Sequence, residues 1–591
     1  MGRNRPAVRH DGVSADRTRL PFPAPIAAAI AIAAAVLVYL PALRNGFVWD
    51  DPLVLQQLRA MRSWADLVIM PPQVPRYYYR PLIFVSYLID RGLGGDAPFW
   101  FHASVILVHA FNCLLVYRLA LYLFPEQPAI GAAAALLFAV FPTHAESVAW
   151  MAGRSDVIVC TFLLLTVLLA VRRDVRWSAW ASGVTFFLAL LSKEMAVAGL
   201  LVIPIIDWLS ARRMFWGRYV PLVVASGAYF ALRRQSGGAL LGGTPVSAMP
   251  LDVTLDLLRA FGFYAVRSIV PVGLSPYLPT VPESPIYLAT AVLLPLLGAG
   301  LFLWLSNAAR RRFVLLLAWF VLTLIPSLTV IVRQSGSAPV ADRYLYVPSV
   351  ATCLLIAWAI ISAAQWRRVP LGWAFGLVAA VSAVLGVSTA TYARVWSNNV
   401  TFWTEVASKV PQSALANREL ARSLLEEGQL DDAERILRRA LTLPSEAEGQ
   451  VMAYSNLGLI YRRQQRFADA VGAFGTALRI APHPALYHNL GMTLMAKAEE
   501  DQRRGDSAAV LDDVRGARSA LESALTLEKR PGGESFLEQW DPAKTHALLG
   551  QVLLSLGDRA GAREHFEIAL RLEPTGPIAD VTRRYLAQIP P

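Results

Sequence analysis

Long apolar runs separated by short polar loops fill the chain as far as about residue 391. The first run, Phe22–Leu43, is long enough for a helix to cross a lipid bilayer. We interpret it as a retained helix and not a cleaved signal peptide, because Pro41-Ala-Leu-Arg44 is a poor cleavage site. Further runs predict spanning helices near residues 100–123, 128–142, 156–171, 177–192, 195–209, 216–232, 286–306, 313–332, 343–363 and 370–391.

A weaker apolar run, 258–275, contains Arg259 and Arg267. Loops with an excess of Lys and Arg are cytoplasmic in membrane proteins. The basic loops of this chain share that side only if 258–275 is re-entrant or interfacial. The pattern then predicts about eleven spans, with the N-terminus inside and the C-terminus outside. The basic clusters are the N-terminal tail, Arg172–Arg176, Arg212-Arg213 with Arg218, Arg310–Arg312 and Arg367-Arg368.

After Tyr392 the pattern changes to amphipathic helices with a period near that of tetratricopeptide repeats. Residues 451–484 carry each anchor of that repeat, in the order Leu457-Gly458, Tyr461, Ala470, Phe474, Ala477 and Pro482. Similar units are predicted at 414–447, 485–531 and 543–576, and the second helix of 485–531 begins later than expected. Such arrays form concave surfaces that bind peptides or proteins; the alternative is a purely structural array.

The pattern predicts an all-α protein made of a polytopic membrane helix bundle and a soluble α-solenoid. The predicted organisation is a basic cytoplasmic tail (1–21), a transmembrane domain (22–391) with an outer loop at 44–99, a linker (392–413) and a repeat domain (414–591). Within the outer loop, Met61–Met70 and Phe99–Val105 are candidates for interfacial helices.

Composition agrees with a membrane protein. Hydrophobic residues make up 55% of the chain and charged residues 17%, against about 25% charged in an average soluble domain. This balance argues against a disordered chain or a purely soluble enzyme. The net charge of +12 reflects basic loops along the apolar part, and so indicates membrane topology and not a nucleic-acid surface. The cysteines lie in apolar runs and imply neither disulfides nor a zinc site.

Charged residues that the topology places on the outer face are the candidates for chemistry, since such groups at helix ends are costly unless paired or useful. The alternative is structural pairing, for instance of Arg154 with Asp156 or of Lys193 with Glu194. The candidates are Asp50, Asp51, Arg80, His144, Glu146, Arg154, Asp156, Lys193, Glu194, Asp342, Arg343 and Tyr344, together with the aromatic residues Trp49 and Tyr77–Tyr79.

These residue types suit one chemistry. Paired acids take a proton from an acceptor hydroxyl. Arg and Lys hold a phosphate and stabilise the charge that grows on it as it leaves. Aromatic rings suit a sugar face or the interfacial belt of a membrane protein. A sugar linked to a lipid phosphate supplies such a leaving group at the membrane surface.

The motifs occur in a characteristic order along the chain. They are Phe47-Val-Trp-Asp50-Asp51, Tyr79-Arg80-Pro81-Leu82, His144-Ala-Glu146-Ser-Val-Ala149 with Gly153-Arg154-Ser-Asp156, Lys193-Glu194, Asp342–Ser349 and Trp396-Ser-Asn398-Asn399. The set resembles the C-type integral-membrane glycosyltransferases. It is most similar to the transmembrane and tetratricopeptide-repeat O-mannosyltransferases and their bacterial relatives.

This resemblance implies a polyprenyl- or dolichyl-phosphate sugar donor and a catalytic base at Asp50 or Asp51. It implies a phosphate-binding set of Arg80, Arg154, Lys193, Arg343 and Tyr344. Supporting roles would fall to His144, Glu146, Asp156, Glu194 and Asp342. Asp50, Asp51 and Glu146 could also bind a divalent ion, since hard cations prefer oxygen ligands; the residues leave open whether a metal is used.

The resulting hypothesis is a glycosyltransferase that moves mannose or another hexose to a hydroxyl of a polypeptide presented by the repeats. No nucleic-acid partner is expected. The residue usage suits a bacterial inner membrane with periplasmic repeats, or the endoplasmic reticulum membrane in a eukaryote. Two alternatives are an enzyme of the same fold acting on a glycolipid or glycan, and a non-catalytic membrane scaffold that recruits partners through its repeats.

Overall fold

The computed structural model describes residues 24–61, 63–67, 79–236, 251–333, 338–528 and 540–589. Within these ranges the chain is all-α, as predicted, and an isolated β-bridge joins Leu278 to Val340. The chain divides into two compact units, Met1–Glu405 and Val406–Pro591. The basic tail 1–21 and the residues Tyr77 and Tyr78 lie outside the described residues.

The first unit is an apolar helix bundle with short 3-10 turns between its helices. Its helices are α1 Ala24–Tyr39, α2 Asp51–Ala60, α3 Pro81–Gly94, α4 Pro98–Leu123, α5 Pro128–Ala139, α6 Ala145–Ala149, α7 Arg154–Ala170, α8 Ser178–Ser192, α9 Gly199–Ala211, α10 Trp216–Gln235, α11 Leu251–Ile269, α12 Pro285–Trp304, α13 Asn307–Arg333, α14 Ser349–Trp366, α15 Leu371–Ala393 and α16 Asn399–Lys409, which continues into the second unit.

Seven described helical segments are long and apolar enough to cross a membrane, and the bent pair formed by α5 with Pro142–Ala149 would make an eighth. The chain is therefore an integral membrane protein. Length and apolarity alone do not reproduce the predicted total of about eleven spans. One reason is that α8 and α9 are only 15 and 13 residues long. The side of the membrane on which each loop lies stays a prediction.

Helix α4 lies at the centre of the first unit, against α1, α5 and α7. Small residues and buried polar groups allow this close packing, as is common between membrane helices. A Cβ atom at Gly131 of α5 would lie 3.1 Å from the ring of Tyr117 on α4. The amide of Asn112 on α4 donates to the carbonyl oxygen of Val157 on α7, at 2.9 Å. The bundle core thus fixes the helix ends that carry the candidate residues.

Neither predicted interfacial helix is found as a separate helix among the described residues, and Arg62 and residues 68–70 lie outside them. Phe99–Val105 is the beginning of α4 and not a separate element. The described part of Met61–Met70 contains a 3-10 turn, Trp64–Leu67. The helices of this loop are α2, which begins earlier, at Asp51, and α3, which begins later, at Pro81. Asp51 and Pro52 occupy the first turn of α2, where an acid and a proline favour helix initiation. Residues 258–269 of the weak run form the C-terminal part of the amphipathic helix α11, which does not qualify as a span among the described helices, and residues 270–275 follow the end of that helix.

The second unit consists of antiparallel helix pairs. Its helices are α17 Ala414–Glu426, α18 Leu430–Leu441, α19 Ala447–Arg463, α20 Phe467–Ile480, α21 Pro484–Arg504, α22 Ser507–Glu528, α23 Pro542–Ser555, α24 Arg559–Leu572 and α25 Pro577–Leu586. The late second helix of the predicted unit 485–531 has a simple cause: α21 and α22 have 21 and 22 residues, whereas α23 and α24 have 14 each.

Small residues lie where the two helices of a pair touch. A Cβ atom at Gly458 would approach the ring of Phe474 to 2.6 Å, and one at Gly550 would approach Phe566 to 2.5 Å. Both aromatic rings are fully buried. The glycine therefore leaves the groove that the aromatic ring of the partner helix fills, which explains the repeated Leu-Gly and Phe anchors.

Candidate active site

The acidic pair in the first loop consists of two residues in different environments. Asp51 is fully buried, and its carboxylate accepts backbone N–H groups from Val48 and Ala152, each at 3.0 Å. Burial raises the pKa of Asp51 to about 8, although these two hydrogen bonds and the charge of Arg154 oppose the rise. Asp50 directly precedes α2, makes no capping hydrogen bond with its side chain, and is exposed. Of the two, only Asp50 has a carboxylate that a substrate can approach.

The residue before this pair is held in an uncommon conformation. Trp49 has φ of 54°, and its backbone N–H donates to the side-chain oxygen of Asn399 at 2.9 Å. Its ring stacks on Trp150, with centroids 5.0 Å apart, and Trp150 stacks in turn on Trp396 at 5.3 Å. A bulky residue with positive φ is a strained outlier that its surroundings must enforce. The hydrogen bond to Asn399 and the stacked rings thus fix the backbone conformation immediately before Asp50.

Arg343 is the cation next to Asp50. Desolvation of its carboxylate by the surrounding residues raises the pKa of Asp50, and the positive charge of Arg343 partly opposes that rise. Arg343 is held by Glu146, which accepts hydrogen bonds from Nη1 and, at 2.9 Å, from the backbone N–H of Arg343. Its guanidinium carbon lies 5.4 Å from the ring centroid of Trp150. Burial would lower the pKa of Arg343, but Glu146 outweighs this and raises it.

Lys193 is the second cation. Its ammonium donates to both carboxylate oxygens of Asp156, at 2.6 and 2.7 Å, and lies 5.3 Å from the ring centroid of Tyr344. The guanidinium carbon of Arg343 lies 5.1 Å from the same ring. Tyr344 therefore contacts both cations. Burial lowers the pKa of Lys193, Asp156 opposes this, and the charges of Arg80 and Arg343 lower it further.

Arg80 is the third cation. Its guanidinium forms a two-pronged pair with Glu194, at 3.1 Å from Nε and 2.7 Å from Nη2. Partial desolvation of its carboxylate would raise the pKa of Glu194, but Arg80 and Lys193 outweigh it and bring that pKa to about 2. Because these charges act on one another, Arg80, Lys193 and Arg343 form one cluster, which we call the cationic row, with Asp50 beside Arg343.

Arg154 does not belong to the cationic row. Its side chain is 1% exposed and its Nη1 lies 2.5 Å from Asp90, whose side chain is 2% exposed. It also donates to Ser86 and to the backbone oxygen of Phe101. We therefore revise the expected phosphate-binding role of Arg154: with its guanidinium enclosed, it is a packing residue that joins α7 to α3 and α4.

The pairings suggested by sequence proximity are wrong. Arg154 bonds Asp90 and not Asp156, and Lys193 bonds Asp156 and not Glu194. Arg154 and Asp156 lie two positions apart on α7 and point to different sides of the helix, and Lys193 is an extended residue between α8 and the 3-10 turn that begins at Glu194. Asp90, Asn399 and Trp150 were assigned no role from the sequence. Their signals were weak: Asp90 is an acid inside an apolar helix, Asn399 is the last residue of the Trp396–Asn399 motif, and Trp150 directly follows the His144–Ala149 motif.

Two further candidates, His144 and Asp342, are buried and form hydrogen bonds to neighbouring segments of the bundle. His144 is buried, with Nε2 2.7 Å from Ser349 and its ring packed on Tyr346, so it bonds neither Glu146 nor a helix end. Asp342 is buried and accepts the backbone N–H of Ser275 at 3.3 Å. Among the described residues no group of three or more His, Cys, Asp or Glu side chains is arranged to hold a metal ion.

Comparison with known proteins gives two kinds of result. Family models of the tetratricopeptide repeat match residues 412–483 and 543–575, which confirms the repeats. Protein O-mannosyl-transferase Tmtc1 of Drosophila melanogaster is 32% identical over 192 residues, which cover 30% of this chain and 22% of that protein. A protein O-mannosyl-transferase of Caenorhabditis elegans is 25% identical over 454 residues, 70% of this chain and 62% of that protein.

This chain thus covers less than two thirds of either relative. Among solved structures, ArnT from Cupriavidus metallidurans bound to undecaprenyl phosphate is 17% identical, with coverage of 76% and 79% and a TM-score of 0.35. A score that low does not establish a common fold. The sequence relatives confirm the resemblance that the motifs predicted.

Proposed function

We propose that this relative of the protein O-mannosyl-transferases is a membrane glycosyltransferase. It would move mannose or another hexose from a polyprenyl- or dolichyl-phosphate to a hydroxyl of a protein. The observation that carries the proposal is that the exposed Asp50 interacts with the charge of Arg343, which belongs to the cationic row. A base for the acceptor and a binding surface for the leaving phosphate are thereby neighbours.

Asp50 is the proposed base. Its carboxylate takes the proton of the acceptor hydroxyl while that oxygen attacks the anomeric carbon of the sugar. The bond between the anomeric carbon and the phosphate oxygen breaks, and the lipid phosphate leaves with the electron pair. Asp51 is unsuited to this role, since both its oxygens accept backbone N–H groups and its raised pKa favours the protonated form at neutral pH.

The cationic row is the proposed binding surface for the lipid phosphate. Of its members, Arg343 is the one whose charge acts on Asp50, and the charges of Arg343 and Arg80 both act on Lys193. Each cation is held in place by one acid: Arg343 by Glu146, Lys193 by Asp156 and Arg80 by Glu194. Donors that are already fixed where negative charge develops need no reorganisation during the reaction, and this is the usual source of large electrostatic catalysis.

The repeats would present the polypeptide acceptor, since such arrays commonly bind extended chains. The proposed location is a bacterial inner membrane, with Asp50, the cationic row and the repeats on the periplasmic side. In a eukaryotic cell the same face would be lumenal. A divalent ion at the site is left open by the proposal.

Transfer from synthetic polyprenyl-phosphate mannose by the purified full chain tests this proposal. We expect label to appear on Ser- and Thr-containing peptides with the wild type and to be lost with Asp50→Asn. The matched control is Asp96→Asn, whose carboxylate pairs with Arg59 and Arg91 and lies outside the cationic row. Absence of transfer from lipid-linked sugars by the wild type would favour the scaffold alternative. Transfer to glycolipids but not to peptides would favour the glycolipid enzyme.

A further inference from the structure

The loop that carries the acidic pair is bound to a segment from the far end of the membrane unit. We call this segment, Ala393–Asn399, the seat; it runs from the last residue of α15 to the first residue of α16. The side-chain amide of Asn45 donates to the carbonyl oxygen of Ala393 at 3.2 Å, across 348 positions of the chain. The backbone N–H of Gly46 donates to the carbonyl oxygen of Ser397 at 2.8 Å. The loop is therefore placed by the seat and not only by its own helices.

Asn399 makes the contact of the seat that is nearest in sequence to Asp50. Its side-chain oxygen accepts the backbone N–H of Trp49 at 2.9 Å, and Trp49 directly precedes Asp50. Trp49 has φ of 54°, a left-handed conformation that a bulky residue rarely adopts without enforcement. Without this acceptor, the Trp49 N–H would lose its partner and the backbone would be free to return to negative φ. Such a return would move the residue that follows.

The ring of Trp49 is held separately from its backbone. Trp150 stacks on this ring, with centroids 5.0 Å apart, and Phe402 of α16 lies 5.4 Å from it. Trp396 of the seat contacts both of these rings, at 5.3 and 5.0 Å. Aromatic pairs tolerate a range of offsets and tilts, whereas a hydrogen bond weakens steeply away from its preferred geometry. The hydrogen bond to Asn399 is therefore the more directional restraint on the backbone at Trp49.

The other side of Asp50 is restrained by its neighbour. The carboxylate of Asp51 accepts the backbone N–H groups of Val48 and Ala152, each at 3.0 Å. The side chain of Asp50 makes no capping hydrogen bond at the start of α2. The position of the Asp50 carboxylate thus follows from the backbone on its two sides, which Asn399 and Asp51 hold.

We propose that Asn399 is a positioning residue for Asp50: its side-chain oxygen, through Trp49, keeps the Asp50 carboxylate directed at the acceptor hydroxyl. The role of Asp50 as a base rests on the proposed function, whereas the restraint of Trp49 by Asn399 does not. A displacement of about 1 Å in a reacting group can cost about 10²-fold in rate. Loss of the acceptor oxygen should therefore lower kcat, while the cationic row still binds the lipid-phosphate donor.

The neighbouring asparagine provides a matched control. Asn398 is exposed, and its side-chain oxygen accepts the backbone N–H of Thr401 at 2.8 Å, which caps the start of α16. Asn398→Ala removes the same amide group one residue away and weakens that cap. It leaves the hydrogen bond between Asn399 and Trp49 in place. A loss that comes only from a weaker α16 would appear in both alanine variants.

Transfer kinetics and hydrogen–deuterium exchange of the purified full chain in detergent test the role of Asn399. Asn399→Ala should lower kcat about 10²-fold, with KM for polyprenyl-phosphate mannose near the wild-type value and faster exchange of the Trp49 amide. Asn399→Asp keeps an oxygen acceptor, so it should restore slow exchange at Trp49 and a large part of kcat. Asn398→Ala should keep the wild-type kcat and the wild-type exchange at Trp49.

A wild-type kcat in Asn399→Ala would overturn the proposal, as would unchanged exchange at Trp49 in that variant. An equal fall of kcat in Asn398→Ala would also overturn it, because the effect would then belong to the start of α16. A wild type that transfers no sugar contradicts the proposed function. Faster exchange at Trp49 in Asn399→Ala would in that case still support the restraint of this backbone by Asn399.

Discussion

Two ion-paired arginines in the membrane unit, Arg343 and Arg154, differ in solvent exposure, and this difference decides whether each can bind a substrate. Both pair with an acid from a distant part of the chain, Arg343 with Glu146 and Arg154 with Asp90. The side chain of Arg343 is 17% exposed and that of Arg154 is 1% exposed. An accessible, oriented cation can bind a substrate charge, whereas an enclosed one can only support the packing around it.

The largest expected effect is on the rate of transfer, and it distinguishes the exposed Asp50 from the buried Asp51. Asp50→Asn should lower the rate of transfer about 10²–10⁴-fold, the usual loss for a general base, with an unchanged thermal midpoint. Asp51→Asn should act through stability, because an amide can accept only one of the two backbone N–H groups that the carboxylate accepts. We expect a loss of about 1–3 kcal/mol in the free energy of unfolding.

Transfer kinetics and thermal unfolding of both variants check this assignment. An active Asp50→Asn protein beside an inactive but fully stable Asp51→Asn protein would show that the buried acid is the base. Solvent exposure would then not identify the catalytic acid of this pair.

The second expected effect is a loss of stability when the buried ion pair of Arg154 and Asp90 is broken. Arg154→Met should cost about 3–5 kcal/mol of stability, because it leaves the carboxylate of Asp90 buried without its partner. The double variant Arg154→Met, Asp90→Leu should recover most of that loss, since it removes both charges. Thermal unfolding of the single and double variants measures the difference. A stable Arg154→Met protein that has lost donor binding would return Arg154 to the cationic row.

The third effect concerns Arg343 and has a distinct pH signature. Arg343→Gln should lower transfer about 10²–10³-fold, as for the loss of one fixed donor to a developing charge. The base must be deprotonated, so kcat/KM rises with pH through the pKa of Asp50. Because Arg343 lowers that pKa, its removal should move the acid limb to higher pH.

Lys193→Gln is the matched control for the pH shift. It removes a cation of the same row whose charge is not among those acting on Asp50. We expect slower transfer with the acid limb near its wild-type position. An equal shift in both variants would mean that the limb reports the row as a whole and not Asp50.

The sequence predicted the residue types of the site but not its pairings. Motif order identified Asp50, Lys193 and Arg343, and hydropathy identified the loops that carry them. Pairings such as Arg80 with Glu194, 114 positions apart, depend on how helices pack, and periodicity along one helix contains no such information. The exposure of Asp50 and the burial of Asp51 and Arg154 have the same origin, because neighbours from other helices decide access.

The same reasoning applies to the fold. In the repeats, Gly458 and Phe474 belong to one local pattern, so a short stretch of sequence determines their contact. In the membrane unit, an apolar run predicts a helix but not its packing partners. The helices α8 and α9 are too short to qualify as spans by length alone, which is one reason why the predicted number of crossings is not reproduced.

The smallest expected effect belongs to Glu194, whose pair with Arg80 is the most exposed of the row at 40% and 20% of the two side chains. Glu194→Gln should change stability by less than about 1 kcal/mol, as for other solvent-exposed pairs. Arg80 would lose its two-pronged anchor, so KM for the lipid-phosphate donor should rise while kcat stays near the wild-type value.

Asp90→Asn is the contrasting variant, because the same chemical change at an enclosed pair should destabilise the bundle. If both variants are equally destabilised, exposure does not distinguish the row from the enclosed pair. If only Asp90→Asn is destabilised, access to solvent, and not the pairing itself, separates the residues available for binding from those that hold the fold.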